Sequence, residues 1–307
     1  MMEMEDGPLF SGIYPALVSP VDKDGNVMEP ELRALVRHFA DTPVKGLYVG
    51  GGTGEGVLLP VRTRKQILDI VIDESRKTQR KQPMQILVHI GATEPANTEE
   101  LALHAAAAGA DALSAIPPIY FAYSRERIIE YYAWIAKLST LPLIIYASAQ
   151  AGTAFTANML EELSKEPNIK GIKFTGYNFY ELMNMRSVVP DSFSILNGGD
   201  EVMMFGLLAG VNGGVGATYN IMPTQFCRLY DAWHAGDIEQ VKAIQRNIND
   251  IINVIVHFPV IGAVKHMLQL QGFPVGDTIF PNNPLSPEQK TDLTARLESM
   301  AWREVCI

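Results

Sequence analysis

Short apolar, β-branched runs alternate along the chain with longer stretches whose apolar positions recur at helical spacing. The runs are "GIYPALVSPV" (12–21), "GLYVGG" (46–51), "QILVHIG" (85–91) and "ALSAIPP" (112–118). They continue with "PLIIYAS" (142–148), "IKGIKFT" (169–175), "SILNGG" (194–199) and "GGVGATYN" (213–220). Between them lie amphipathic stretches at Glu29–Asp41, Val61–Lys77, Asn97–Ala108, Arg125–Leu138, Ala157–Lys165 and Phe179–Val189. Strand followed by helix, repeated, predicts parallel strands with crossover helices. Eight strands in about 220 residues fit a (β/α)₈ TIM barrel, an architecture of typically ~250 residues. A doubly wound open sheet usually carries a phosphate signature after its first strand, and none stands there.

After Asn220 the pattern is helical only, at Pro223–Ala235, Asp237–Val256, Ile261–Leu270 and Ser286–Met300. The first of these would close the barrel and the rest would form an extension. No linker rich in Pro, Gly or Ser interrupts the chain. The expectation is therefore a barrel domain over 1–235 with a C-terminal helical extension, 236–307, packed on it.

Composition narrows the picture without changing it. Of 307 residues, 47% are hydrophobic and 19% charged, ample for a globular core. A net charge of −9 argues against nucleic acid or an anionic membrane as principal partner. The opening "MMEMEDGPLF" lacks a basic region followed by an apolar run. The stretch "IINVIVHFPVIGAV" is interrupted by His257 and Pro259 and is shorter than the roughly 20 residues of a membrane span. Cys227 and Cys306 make neither a disulfide framework nor a metal site. A cytoplasmic location is expected.

In such barrels chemistry lies at the C-terminal ends of the strands. There, "GIKFTGYN" places Lys173 among apolar and small residues. Strand alternation puts Ile169, Gly171 and Lys173 on one face, and Ile172 and Phe174 on the other. If the apolar pair faces the helices, Lys173 points into the barrel. Desolvation disfavours an ammonium, and a neutral amine is a Schiff-base nucleophile toward a carbonyl. The plainer reading is a strand-end lysine reaching solvent or a carboxylate. Tyr146, on the preceding strand, shares a face with Ile144 and Ser148 and could move protons beside the lysine. It could equally fill a barrel layer.

"GGGTGEG" (50–56) has no nucleotide-binding spacing, but its backbone N–H groups and the Thr53 hydroxyl could cradle a small carboxylate. "NGGDE" (197–201) sets Asp200 and Glu201 at a strand end. Asp200 reads either as a helix N-cap or, with Glu201, as an acceptor for the hydroxyls of a polyhydroxylated chain. No His or Cys accompanies them, so a metal is not implied. His38, His89, His104, His234, His257 and His266 show no ligand spacing and read as structural or surface residues.

Together these pieces resemble the pyruvate-dependent class I aldolases of the dihydrodipicolinate synthase and N-acetylneuraminate lyase family. The resemblance runs from "GIYPALVSPVDKDGNV" into the helical tail. "GLYVGGGTGEG", "GIKFTGYNFYELMNMR" and "NGGDEVMMFGLLAGVNGGVGATYNIMP" look most like the lyase branch. The resemblance implies a TIM barrel with C-terminal helices, assembled as a homotetramer. It implies that Lys173 forms the Schiff base with pyruvate, with no separate cofactor, and that Tyr146 is the phenolic proton shuttle. It further implies that Gly52 and Thr53 hold the pyruvate carboxylate, and that Gly198, Asp200 and Glu201 bind the sugar's hydroxyl chain beside Thr175. Tyr120 matches a tyrosine extended toward a neighbouring subunit's site.

Four positions depart from the family. Gly52 replaces a hydroxyl residue of the presumed proton relay, and Ala217 replaces a serine of the lyase sugar site. The family's Y-N-x-P is "YASA" (146–149), and Ala151 stands where the synthases carry an arginine, which argues against synthase activity. The expected function is cleavage of a 2-oxo sugar acid, N-acetylneuraminate first, to pyruvate and an aldehyde. A 2-keto-3-deoxy sugar acid is the alternative substrate, and a non-catalytic oxo-acid-binding paralogue is the alternative of another class.

Overall fold

The computed structural model describes residues 7–148, 154–300 and 302–306. Strands and helices alternate as β1 (Gly12–Pro15), α1 (Glu29–Ala40), β2 (Gly46–Val49), α2 (Val61–Lys77), β3 (Gln85–His89) and α3 (Pro95–Ala108). They go on through β4 (Ala112–Ala115), α4 (Arg125–Ile135), β5 (Leu143–Ser148), α5 (Ala157–Leu163), β6 (Ile169–Thr175) and α6 (Phe179–Ser187). The last repeats are β7 (Ser194–Asn197), α7 (Met203–Leu208), β8 (Gly213–Gly216) and α8 (Pro223–His234). Helices α9 (Ile238–Ile255), α10 (Val260–Leu270), α11 (Pro287–Glu298) and α12 (Trp302–Cys306) follow.

All neighbouring strands pair in parallel, in the order β1-β8-β7-β6-β5-β4-β3-β2. The remaining seam, β1 to β2, is bridged by backbone bonds from Lys45 N–H to the Ile13 carbonyl and from Leu17 N–H to the Tyr48 carbonyl, both 2.9 Å. The result is the (β/α)₈ TIM barrel that the alternation predicts.

The pleat divides the apolar residues into two cores. Tyr14, Tyr48, Leu87, Ile144, Leu196 and Val215 fill the inside of the barrel with Phe10. Their strand neighbours Ile13, Leu47, Ile86, Ile145, Ile172 and Ile195 face outward into the helix layer. The helices meet them with matching stripes. Helix α1 buries Leu32, Leu35, Val36 and Phe39, one face at i, i+3, i+4 and i+7. Each fully buried side chain of this kind contributes about 1.5–3 kcal/mol of transfer free energy. Side chains cap several helices, among them Ser124, Thr156, Asn178 and Asp237, and Ser286 forms a capping box with Gln289.

Helices α9 and α10 meet at 110° with Pro259 at the N-cap of the second. No single helix among the described residues is long and apolar enough to cross a membrane. Six of the eight strand runs end earlier than expected, the first and the last by the most. β1 stops at Pro15 and β8 at Gly216, where Thr218–Asn220 turns into a 3₁₀ helix. The short α7 shows no amphipathic period of its own, and it follows β7 where the N-cap reading of Asp200 expects a helix.

Candidate active site

Lys173 lies near the C-terminal end of β6 and is 5% exposed. Its backbone registers with Tyr146 on β5 and Leu196 on β7. Ile172 belongs to the outer core and Leu196 to the inner one, so Lys173 points into the barrel as alternation requires. Its Nζ stands 4.1 Å from the ring centroid of Tyr146 and 4.8 Å from that of Tyr48. None of the ion pairs among the described residues includes it. A buried amine left without a carboxylate is rare unless chemistry retains it.

His89 is buried behind Tyr146, with its ring edge-on to the tyrosine at 6.3 Å. Burial, reinforced by the positive charge of Arg64, pushes its imidazole well below the ordinary value. It therefore stays neutral, and its Nε2 accepts the Ile116 N–H at 3.2 Å.

The glycine turn after β2 is held by groups distant in sequence. Glu55, at φ 54°, closes the turn with its N–H donating to the Gly52 carbonyl at 2.9 Å. Its carboxylate is buried and ion-paired to Lys265 of α10 at 2.8 Å. It also accepts from the Ile279 N–H and the Asn282 side-chain amide, both at 2.8 Å. Lys265 completes its own set with the Ser19 and Asp277 carbonyls. Removing one partner of such a pair typically costs about 3–5 kcal/mol, because the other charge is left buried and bare. Gly52 is exposed and Thr53 half-buried. Their N–H groups donate to no acceptor among the described residues, which leaves them free for an anion.

Across the mouth, Asp200 and Glu201 open a 3₁₀ turn after β7. Gly199 takes the N-cap position there, so the N-cap reading of Asp200 is set aside. The Asp200 carboxylate instead accepts the Thr218 N–H and hydroxyl on one oxygen, both at 2.7 Å. Its other oxygen lies where a Cβ on Gly216 would come within 2.0 Å, so β8 has to end in glycine. Gly198 meets the same limit, since its Cβ would fall 1.9 Å from the Thr175 hydroxyl oxygen. That buried Thr175 hydroxyl has no hydrogen-bond partner among the described residues. Ala217 stands half-buried just before the 3₁₀ turn of β8. The extension grips this side too. Gln245 of α9 donates to the Asp200 carbonyl at 3.2 Å and accepts the Met204 N–H at 2.9 Å, and Asn249 donates to the Glu201 carbonyl at 3.1 Å.

Burial pushes the Asp200 carboxyl up from an ordinary 3.8 to about 6, against the lowering effect of the Thr218 hydrogen bonds. An acid raised in the folded state holds a proton that the unfolded chain has already released. Its stabilising contribution is complete below pH 3.8 and is lost as pH rises through about 6. Asp200→Asn, which keeps an acceptor for Thr218, should therefore gain on the wild type by on the order of 3 kcal/mol across that window. Urea unfolding of both proteins at pH 4 and pH 7 measures this. A constant difference between the two pH values would overturn the assignment.

Tyr120 sits at φ 83° and 90% exposed, in an aromatic group with Phe121 and Tyr123. Among the described residues its ring contact is with Phe121 and not with the tyrosines beside Lys173. Tyr48, Glu55, Lys265 and Tyr177 were given no role by the sequence reading. The last is an exposed tyrosine whose hydroxyl donates to the Glu201 carboxylate. Ala149 and Ala151 lie outside the described residues. Among those described, no three His, Cys, Asp or Glu side chains gather as a metal site.

Comparison with known proteins places this geometry among relatives. The N-acetylneuraminate lyase of Rhizobium meliloti is 34% identical over 300 residues, 96% of this chain and 97% of its own. The wild-type sialic acid aldolase of Ruminococcus gnavus superposes with a TM-score of 0.90 at 28% identity, covering 97% of this chain and 99% of that one. An E. coli K12 prophage protein of the dihydrodipicolinic acid synthase family, solved with pyruvate, gives 0.89 at 29% identity over 97% of this chain and 100% of its own. The model of the dihydrodipicolinate synthetase family matches residues 9–300. A match over nearly the whole length settles descent: this chain belongs to that family.

Proposed function

We propose that the protein is a Schiff-base aldolase that cleaves N-acetylneuraminate to pyruvate and N-acetylmannosamine. The observation that carries the reading is Lys173, a buried amine at the barrel mouth with no ion-pair partner among the described residues. Its amine adds to the C2 carbonyl of the substrate, and loss of water leaves an iminium. That iminium draws the electrons of the C3–C4 bond as it breaks. The C4 hydroxyl gives its proton to the Tyr146 oxygen as that phenol releases its own toward C3, and the aldehyde departs. Proton return to C3 and hydrolysis of the iminium release pyruvate and restore the amine.

The free N–H groups at Gly52 and Thr53 suit the carboxylate, and Thr175, Gly198, Asp200 and Glu201 suit the hydroxyl chain. No cofactor is invoked beyond the covalent link itself. A coupled pyruvate-release assay over a panel of 2-oxo acids tests the proposal. Release from N-acetylneuraminate above the others is expected, and no release from any would favour the non-catalytic alternative. The missing hydroxyl at Ala217 favours a second reading, a 2-keto-3-deoxy sugar acid as preferred substrate.

Gly52 bears on rate. Its φ is not positive, and a Cβ there would meet nothing within 4 Å, so serine fits without strain. A water standing in for the relay hydroxyl costs about 0–2 kcal/mol of immobilisation. Gly52→Ser should then raise kcat by up to roughly 30-fold at unchanged folding stability. An unaltered kcat in a normally folded variant would remove Gly52 from the relay.

We assign the exposed aromatic group at Tyr120 to contact with a second copy of the chain, within a homotetramer. Light scattering at micromolar concentration should report four chains, and a monomer would refute it.

A further inference from the structure

We propose that Tyr48 stabilises the positive charge on the reacting nitrogen, its ring face forming with that of Tyr146 the cation site for the Lys173 iminium. The proposal rests on the Schiff-base reading above. Condensation of the amine with a 2-oxo acid expels the carbonyl oxygen as water and leaves nitrogen bearing a full positive charge. That charge forms where Lys173 is already 5% exposed and where no carboxylate is ion-paired to it among the described residues. A buried cation needs a compensating partner.

The partners in place are two aromatic faces. Nζ lies 4.8 Å from the Tyr48 centroid and 4.1 Å from that of Tyr146, both inside the roughly 6 Å reach of a cation–π contact. The two rings stand nearly perpendicular, 87° apart with centroids separated by 6.3 Å, so the nitrogen occupies the corner between them. Low polarity around the pair strengthens the attraction.

Tyr48 is built to hold this place. It is 1% exposed, and its hydroxyl donates to Ser114 of β4 at 2.9 Å. That bond anchors the ring from the strand two removed from β6. Burial also holds the phenol far above its ordinary value, so Tyr48 stays neutral and exchanges no proton. Its contribution is the face of the ring.

The test replaces Tyr48 with phenylalanine and then with phenylalanines carrying successively more ring fluorines. These keep the shape of the ring while draining the negative charge from its face. The full chain is incubated with pyruvate and borohydride, and the pyruvate concentration giving half-maximal adduct at Lys173 is read by mass spectrometry. Tyr48→Phe should stay within about two-fold of wild type, and the fluorinated series should weaken stepwise, reaching about 2- to 30-fold. A flat series, with trapping at Lys173 intact in the wild type, overturns the role of Tyr48 alone. Absence of any adduct in the wild type overturns the Schiff-base reading on which it rests.

Discussion

Lys173→Ala should lower pyruvate release by on the order of 10⁴-fold or more, because the variant loses the covalent route and not merely a contact. The wild type treated with pyruvate and borohydride should gain one adduct per chain at Lys173, and the variant none. Folding should survive the change. No carboxylate is ion-paired to Lys173 among the described residues, so removing the amine leaves no charge bare. Urea unfolding separates the two effects. An adduct on another lysine, or turnover within ten-fold of wild type, would defeat the assignment.

Tyr146→Phe should lower turnover by ~10²–10⁴-fold. This substitution isolates the hydroxyl. In the structure the Lys173 amine lies over the Tyr146 ring, 4.1 Å from its centroid, and phenylalanine keeps that face along with the edge contacts to Tyr48 and His89. Adduct formation with pyruvate should therefore survive while cleavage slows. Trapping and steady-state turnover measured on one preparation decide it. Equal losses in both would mean that the ring's position matters and the hydroxyl does not.

The barrel was legible in the sequence because its eight apolar runs are spaced by helix-length segments, and the parity around Lys173 was legible because only two faces exist on a strand. Other features were not. Apolarity reports burial, whatever the local backbone does, so "ALVSPV" read as strand although Pro15 ends β1 and the rest is buried connection. "MMFGLL" is apolar all round and six residues long, too short to show a helical period.

Lys265 is the instructive omission. The rule that flags Lys173, a lysine on an apolar face, also flags Lys265 between Val264 and Met267 on the buried side of α10. What separates the two is the partner. Lys265 has Glu55 at 2.8 Å, a contact across 210 residues that no local pattern discloses. Tyr48 and Tyr177 were passed over for a related reason, since their roles come from residues on other strands and loops. Asp200 was named in the sequence, but its partner Thr218 lies on a different strand end, a contact that no local pattern discloses.

The ion pair between Glu55 and Lys265 also sets an order of events in time. The 210 residues that separate the partners take roughly 10–40 s to emerge at common rates of synthesis. Lys173 joins the growing chain 92 residues ahead of Lys265, roughly 5–18 s at those rates, while the turn bearing Gly52 and Thr53 still lacks its anchor. Under the proposed function, the amine that forms the Schiff base thus precedes the anchored turn that would select carbonyls bearing a carboxylate. On that reading, chemical discrimination is among the last properties this chain acquires as it is made.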